Sequence, residues 1–354
     1  MKTTRLLLTV LLALSLLLAA CGSAATTAPP APTQAPAQTQ APVPTQPPVQ
    51  TQAPAATQAP ATEAPAAKKG PIVVSSKNFT EQYLLGWMTV LALQNAGFEV
   101  TPQIDLGGTS ANREALTAGE VDMYWEYTGT AWLVHLGHED AITDPQTAYQ
   151  KVKEEDAKNG LVWLDYAPFN NTYTLMMTKE EGEQYNVKSL SDLTKLLDQK
   201  PDAVVCIDQE FAVRPDGMPA LQEKYGFAFK EANIIPMEIG VTYKALRDGQ
   251  CDVAMGFATD GRIAAWGFYN LEDNSQFFPV YNPAPVVRKE IMDKYPEIAD
   301  ILNPVAKALD TETMTKLNSL VDVGPDQELD TGDEMDPQDV ARNFLVEKGL
   351  ISGD

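Results

Sequence analysis

Two short stretches carry the same spaced residues. One reads Leu116-Thr-Ala-Gly119-Glu-Val-Asp122 and the other Leu246-Arg-Asp-Gly249-Gln-Cys-Asp252, with Leu, Gly and Asp in register. Five residues past each Asp stands an aromatic, Tyr127 in the first copy and Phe257 in the second. In each copy the Gly suits the C′ position of a short helix, and the residues after it are apolar enough for a buried strand. Turn-rich segments follow, Thr128-Gly-Thr130 and Ala258-Thr-Asp-Gly261, as expected at the carboxyl end of a strand in an α/β layer. Open α/β sheets bind ligands at such ends, so Tyr127 and Phe257 are expected to face each other across one cleft. Ring faces attract cations that cannot hydrogen-bond, above all quaternary ammonium groups, by roughly 0.5 to 2 kcal/mol per ring once water is excluded. A Lys side chain or Na⁺ would lose far more on leaving water.

The elements that must position these rings alternate in type. Pro71 to Ser75 reads as a strand, followed by a helix that runs to Gly97, with Asn78 and Glu81 at capping-box spacing. Phe98 to Ile104 is the next strand, Ala111 to Ala118 a helix, and Val121 to Tyr124 a third strand, which predicts a mainly parallel sheet. A helix near Pro145 to Asn159 and a strand at Leu161 to Leu164 come next. A second βαβ series then spans Leu190 to Phe257, and Phe277 to Val287 is extended and Pro-rich, suited to a crossover. Helices near Glu290 to Leu302, Ala306 to Leu309, Thr313 to Val321 and Pro337 to Lys348 close the chain. The fold class is α/β with two lobes, residues 71–175 with 281–354 and residues 176–280, joined by two hinge crossovers.

The first fifth of the 354 residues is different. Lys2 and Arg5 precede the apolar run Leu6 to Ala20, too short for a comfortable membrane span and laid out as a secretory signal peptide, residues 1–20. Leu18-Ala-Ala-Cys21-Gly resembles a bacterial lipobox, which makes Cys21 the expected lipidation site and new amino terminus. Residues 21–70 are dominated by Ala, Pro, Thr and Gln and cannot bury enough apolar surface to order, so they read as a tether. The formal charge of -22, from 48 acids against 26 bases, argues against nucleic acid or an anionic membrane surface as partner. Membrane attachment is expected through the lipid alone.

Six ordered motifs are more specific. Ser76-Lys-Asn-Phe-Thr-Glu-Gln82, Gly107-Gly-Thr-Ser110 with Asn112-Arg-Glu-Ala115, Glu126-Tyr-Thr-Gly-Thr130, Asn170-Asn-Thr-Tyr173, Arg214-Pro-Asp-Gly217, and Phe278-Pro-Val-Tyr281 with Ala284-Pro285 run through the folded part. Together they resemble the substrate-binding proteins of osmoprotectant ABC importers, which bind glycine betaine, choline, carnitine and related quaternary amines. The resemblance covers the chain from about Ile72 onward and implies a type II periplasmic-binding-protein fold that closes on its ligand and presents it to permease subunits. It implies a cation cage of Tyr127, Tyr173, Phe257 and Tyr281, with a phenyl where relatives carry a phenol at position 257. It also implies carboxylate contacts from Lys77, Thr130 and Arg214, with Asn171 as a polar wall. Arg offers a fork and Lys a point charge to such a carboxylate. The neutral Thr130, where an acid would repel a carboxylate, favours glycine betaine or a set of betaines over choline alone. A choline-selective protein, or a ligand-sensing lipoprotein using the same cleft, is the alternative.

The implied protein is a monomer with no cofactor and no catalysis. His135 and His138 lack a nucleophile or a metal-ligand cluster beside them, and the acidic run Asp322 to Asp336 lacks the ordered spacing of a calcium loop. Export permits a disulfide between Cys206 and Cys251, whose separation the sequence leaves open.

Overall fold

The computed structural model describes residues 69–326 and 331–353. The expected signal peptide and tether, Cys21, and Glu328 and Asp330 of the acidic run lie outside the described residues. Two five-stranded sheets form the framework. The first contains β1 (Lys69–Ser75), β2 (Phe98–Gln103), β3 (Met123–Tyr127), β4 (Leu161–Trp163) and β10 (Pro283–Arg288), in the order β2-β1-β3-β10-β4. The second contains β5 (Tyr173–Thr178), β6 (Val205–Asp208), β7 (Ile234–Met237), β8 (Val253–Phe257) and β9 (Phe268–Asn270), in the order β7-β6-β8-β5-β9. Position by position, the two sheets share one plan.

The repeated Asp explains how that plan is locked. Asp122 accepts the Val73 N–H through Oδ2 at 2.8 Å while its own N–H donates to the Val73 carbonyl at 2.9 Å. Asp252 does the same to Val204, at 2.7 and 2.9 Å. Each Asp thus staples the start of its strand to the neighbouring parallel strand. The preceding glycines, Gly119 and Gly249, have φ of 80° and 67°, the left-handed conformation that ends a helix and frees the chain to turn.

The expected mainly parallel sheet is corrected. β1 runs parallel to β2 and β3, and β6 parallel to β7 and β8, but β10 is antiparallel to β3 and β4, and β5 antiparallel to β8 and β9. The reason is that β5 and β10 enter from the opposite sheet, so no crossover helix forces them parallel. The chain passes between sheets at residues 164–172 and again at 271–282, and these two segments bond to each other, Asn171 N–H to the Tyr281 carbonyl at 3.2 Å and Tyr281 N–H to Asn170 Oδ1 at 2.7 Å.

The Pro-rich crossover therefore ends in a central strand, against the usual exclusion of proline. Asn282 accepts from Thr128 and Arg288 donates to Asp122, so the even-numbered residues of β10 bond to β3. Pro283 and Pro285 face the other side, where their carbonyls accept from Ala167 and Leu164 at 2.8 and 3.0 Å. Their missing N–H groups point to an edge that β4 has already left.

Helix Thr80–Asn95 covers the first sheet with buried Leu84, Leu85, Met88 and Leu93, each burial contributing roughly 1.5–3 kcal/mol. The helix expected over Glu290 to Leu302 is two, Lys289–Lys294 and Ile298–Lys307, with Pro296 in the break, and the second absorbs Ala306. No described helix is long and apolar enough to cross a membrane.

Cys206 in β6 and Cys251 before β8 form a disulfide, with Cα atoms 5.9 Å apart and a sequence separation of 45. A loop of that length predicts a loss of about 2–4 kcal/mol on reduction, read by urea denaturation with and without reductant. The Cys206→Ser/Cys251→Ser double variant should match the reduced protein and be indifferent to reductant.

Candidate functional site

The carboxyl ends of the strands and the amino end of helix Thr80–Asn95 converge on a cavity of about 500 Å³. Tyr127 ends β3 and Phe257 ends β8, while their antiparallel partners bring Tyr173 at the start of β5 and Tyr281 just ahead of β10. All four rings line the cavity. Tyr173 lies 5.3 Å from Phe257 and 5.4 Å from Tyr281, the latter edge-on at 87°. A fifth ring, Phe79, closes the series between the sheets, 5.0 Å from Phe257 and 6.2 Å from Tyr127.

Lys77, Thr130 and Asn171 also line the cavity, whereas Arg214 stands behind its wall. Lys77 is 3% exposed, with Nζ 2.6 Å from Glu126 Oε1, 3.1 Å from Thr109 Oγ1 and 5.3 Å from the Tyr127 ring centre. Arg214 forms a two-pronged pair with Asp216, at 2.8 Å on each prong, and lies 5.1 Å over the Tyr173 ring. It reaches Thr130 Oγ1 with Nη2 at 3.4 Å and Glu210 with Nη1 at 3.2 Å. Both cations are thus already neutralised by a buried carboxylate, and what they can add to the cavity is directed N–H groups.

Burial alone would raise the Glu126 carboxyl, but Lys77 at 2.6 Å and His135 at 2.9 Å overturn that and hold it well below the usual carboxylate range. His138 instead stacks on Trp132, with ring centres 3.4 Å apart. Among the described residues no group of three or more His, Cys, Asp or Glu is arranged to hold a metal ion.

Glu81 is not the capping residue that its spacing predicts. Phe79 occupies the N-cap position, with no side-chain cap bond, and Asn78 plays no part. Glu81 turns inward instead, because four donors wait there. Oε1 accepts from Tyr127 Oη at 2.7 Å and Asn171 Nδ2 at 2.9 Å, and Oε2 from Thr259 Oγ1 at 2.6 Å and Asn318 Nδ2 at 3.2 Å. Burial pushes its carboxyl up and these bonds pull it back. Phe79 and Glu81 both lie in the Ser76–Gln82 motif, which gave the signal; Asn318 and Asp322 lie in none of the six.

The cavity carries Glu81, Asp208, Glu210, Glu238, Asp260 and Asp322 against Lys77 and Arg262. Six carboxyl groups thus stand against two bases in a lining that also holds the aromatic rings.

The substrate-binding domain of the ABC-type glycine betaine transport system matches residues 70–347. The chain belongs to this family. It is 38% identical over 294 residues to the glycine-betaine-binding protein of Pseudomonas aeruginosa, covering 81% of this chain and 91% of that one. Identity to the glycine betaine-binding protein YehZ of Escherichia coli is 35% over 292 residues, or 80% of this chain and 93% of YehZ. The apo YehZ structure covers 80% of this chain and all of its own, at a TM-score of 0.57. The carnitine transport binding protein OpuCC of Listeria monocytogenes is 32% identical over 291 residues, 81% of this chain and 90% of OpuCC. The fold is that of the periplasmic substrate-binding proteins, and this is a solute-binding protein of an extracytoplasmic ABC import system rather than an enzyme.

The Lys77–Glu126 pair sets two expectations. Lys77→Met removes the Lys77 charge from a buried carboxylate that keeps only His135, Tyr124 and the Tyr127 N–H, and should cost about 3 kcal/mol in denaturant unfolding, with Lys77→Met/Glu126→Gln recovering much of it. Glu126 titrates lower folded than unfolded, as does Asp156, where burial is outweighed by bonds to Arg113. Their contribution is therefore fully present above about pH 4.3, the unfolded glutamate value, and is lost as pH falls through the folded values. Thermal melts from pH 6 to pH 3 should fall along that course, and less steeply in Lys77→Met.

Proposed function

We propose that this protein binds a betaine, glycine betaine or a near relative, with its trimethylammonium head against Tyr127, Tyr173, Phe257 and Tyr281 and its carboxylate toward Lys77, Thr130 and Asn171. The observation that carries the reading is the convergence of these four rings, two from each sheet's β3–β10 or β5–β8 pair, on one cavity with surplus carboxyl groups. A methylated head loses little hydration there and gains several ring faces. Phe79 supplies a further face that the family motif did not single out.

Betaine is favoured over choline by two things. Thr130 is neutral, and three relatives at 32% to 38% identity carry names for glycine betaine or carnitine, both of which bear a carboxylate, while a fourth at 34% is named for ergothioneine. Arg214 acts from behind, orienting Thr130 and backing the Tyr173 ring rather than meeting the ligand as a bare charge. Cys21 anchors the chain as a monomer to the outer face of the membrane, and ABC permease subunits receive the ligand. Closure draws on contacts between groups carried by the two sheets and their flanking segments, such as Phe79 on Phe257 and Thr259 on Glu81.

Calorimetric titration with glycine betaine, carnitine, choline and a plain amino acid tests this. Betaine should bind tightest, and Tyr127→Ala should weaken it by about 2- to 30-fold, the equivalent of roughly 0.5–2 kcal/mol for one ring. Arg214→Ala should weaken betaine more than choline. Choline binding without betaine binding would overturn the carboxylate assignment, and binding of the amino acid alone would overturn the cage.

A further inference from the structure

The rings occupy only part of the cavity. Beyond Glu81 it continues along helix Thr311–Asp322, which contributes Asn318 and Asp322, one turn apart and so on one face. Asn318 is 3% exposed. Its Nδ2 donates to Glu81 at 3.2 Å and to the Thr259 carbonyl at 2.9 Å, two acceptors that fix the amide's orientation. Oδ1 is thereby turned away, buried and without a hydrogen-bond partner.

The Asp322 side chain is 8% exposed and also lines the cavity. Its Oδ1 accepts from Thr80 Oγ1 at 2.6 Å, while Oδ2 is buried with no hydrogen-bond partner. Arg262 lies 3.5 Å from Oδ2 but is held by Asp260, with bonds of 2.9 and 2.6 Å. Burial pushes the Asp322 carboxyl up, against the pull of Arg262 and with the push of Asp260, as expected for an acid whose countercharge is engaged elsewhere. Two buried acceptors on side chains that line one cavity call for donors, and glycine betaine has no N–H or O–H to offer.

We propose that Asn318 and Asp322 form a second subsite that accepts hydrogen bonds from an ammonium group on a trimethylammonium ligand longer than glycine betaine. The proposal rests on the quaternary-amine reading of the rings. The carboxyl surplus of the cavity selects an ammonium over a neutral hydroxyl, and Nη1 of Arg262, the nitrogen not bonded to Asp260, suits the carboxylate of the same α-amino acid head. The ligand class is a trimethylated amino acid with a free α-amino group, cation in the rings and zwitterionic head on helix Thr311–Asp322.

The test is calorimetry on the full chain with Nε-trimethyl-lysine, glycine betaine and unmodified lysine, for wild type, Asp322→Asn and Asn318→Ala, each checked by thermal melt. Loss of a charged hydrogen bond predicts that Asp322→Asn weakens trimethyl-lysine by about ten-fold or more and glycine betaine by less than about two-fold. Asn318→Ala also removes a donor from Glu81 and should weaken both ligands, trimethyl-lysine the more, so Asp322→Ala, which leaves the Glu81 bonds intact, decides if Asp322→Asn misfolds. Equal loss for both ligands, or no loss for either, would overturn the subsite. Glycine betaine binding with no trimethyl-lysine binding to wild type would overturn the subsite and leave the cage standing. Lysine binding as well as trimethyl-lysine would keep the subsite and sink the cage, and failure of all three would sink both.

Discussion

A buried carboxylate, Glu81, is the point on which the site's geometry rests. It sits on the first turn of helix Thr80–Asn95, yet its four donors come from β3, from the crossover at Asn171, from the segment after β8 and from helix Thr311–Asp322. A lone carboxylate at that depth would be strongly disfavoured; one that accepts four bonds is tolerable only while all four donors hold their places. The two sheets, one crossover and the C-terminal helices are therefore registered against a single pair of oxygens. Asn318 repeats the link by donating to the Thr259 carbonyl, and Asn171 by accepting from the Thr259 N–H at 3.4 Å.

Around that point the molecule uses one plan twice. Leu-Gly-Asp spacing ends a helix, starts a strand and staples it to its neighbour, and five residues later an aromatic emerges at the strand end. Even the next residue is treated alike, with Thr128 N–H donating to the Asn282 carbonyl at 3.1 Å and Ala258 N–H to the Thr172 carbonyl at 3.0 Å. Because these rules act over short stretches of chain, the sequence made the duplication and the places of Tyr127 and Phe257 readable.

What was harder to read depends on partners distant in sequence. Strand direction in β5 and β10 follows from where the chain returns, not from the residues in the strand, so the βαβ pattern predicted the parallel groups β2-β1-β3 and β7-β6-β8 but not the antiparallel strands that complete each sheet. Glu81 illustrates the same limit within a motif. Capping-box spacing is a local signal, and it was overridden by donors up to 237 residues away. Lys77 and Arg214 show it in the electrostatics, since their residue types imply free cations, while Glu126 and Asp216 leave them neutralised. Asn318 and Asp322 sit in an ordinary amphipathic helix and became visible only when the helix was seen against the cavity.

The hydroxyls of two of the lining tyrosines do not point at the cavity's contents. Tyr127 gives its proton to Glu81 and Tyr281 gives its proton to Asp216. A phenol that donates to a carboxylate carries more electron density on its ring, and a cation feels that density through the ring's face. Of these acids, Glu81 lines the cavity while Asp216 does not. The Tyr281 ring can therefore be made richer or poorer in electrons without changing the cavity's surface, by altering a residue that stands behind it.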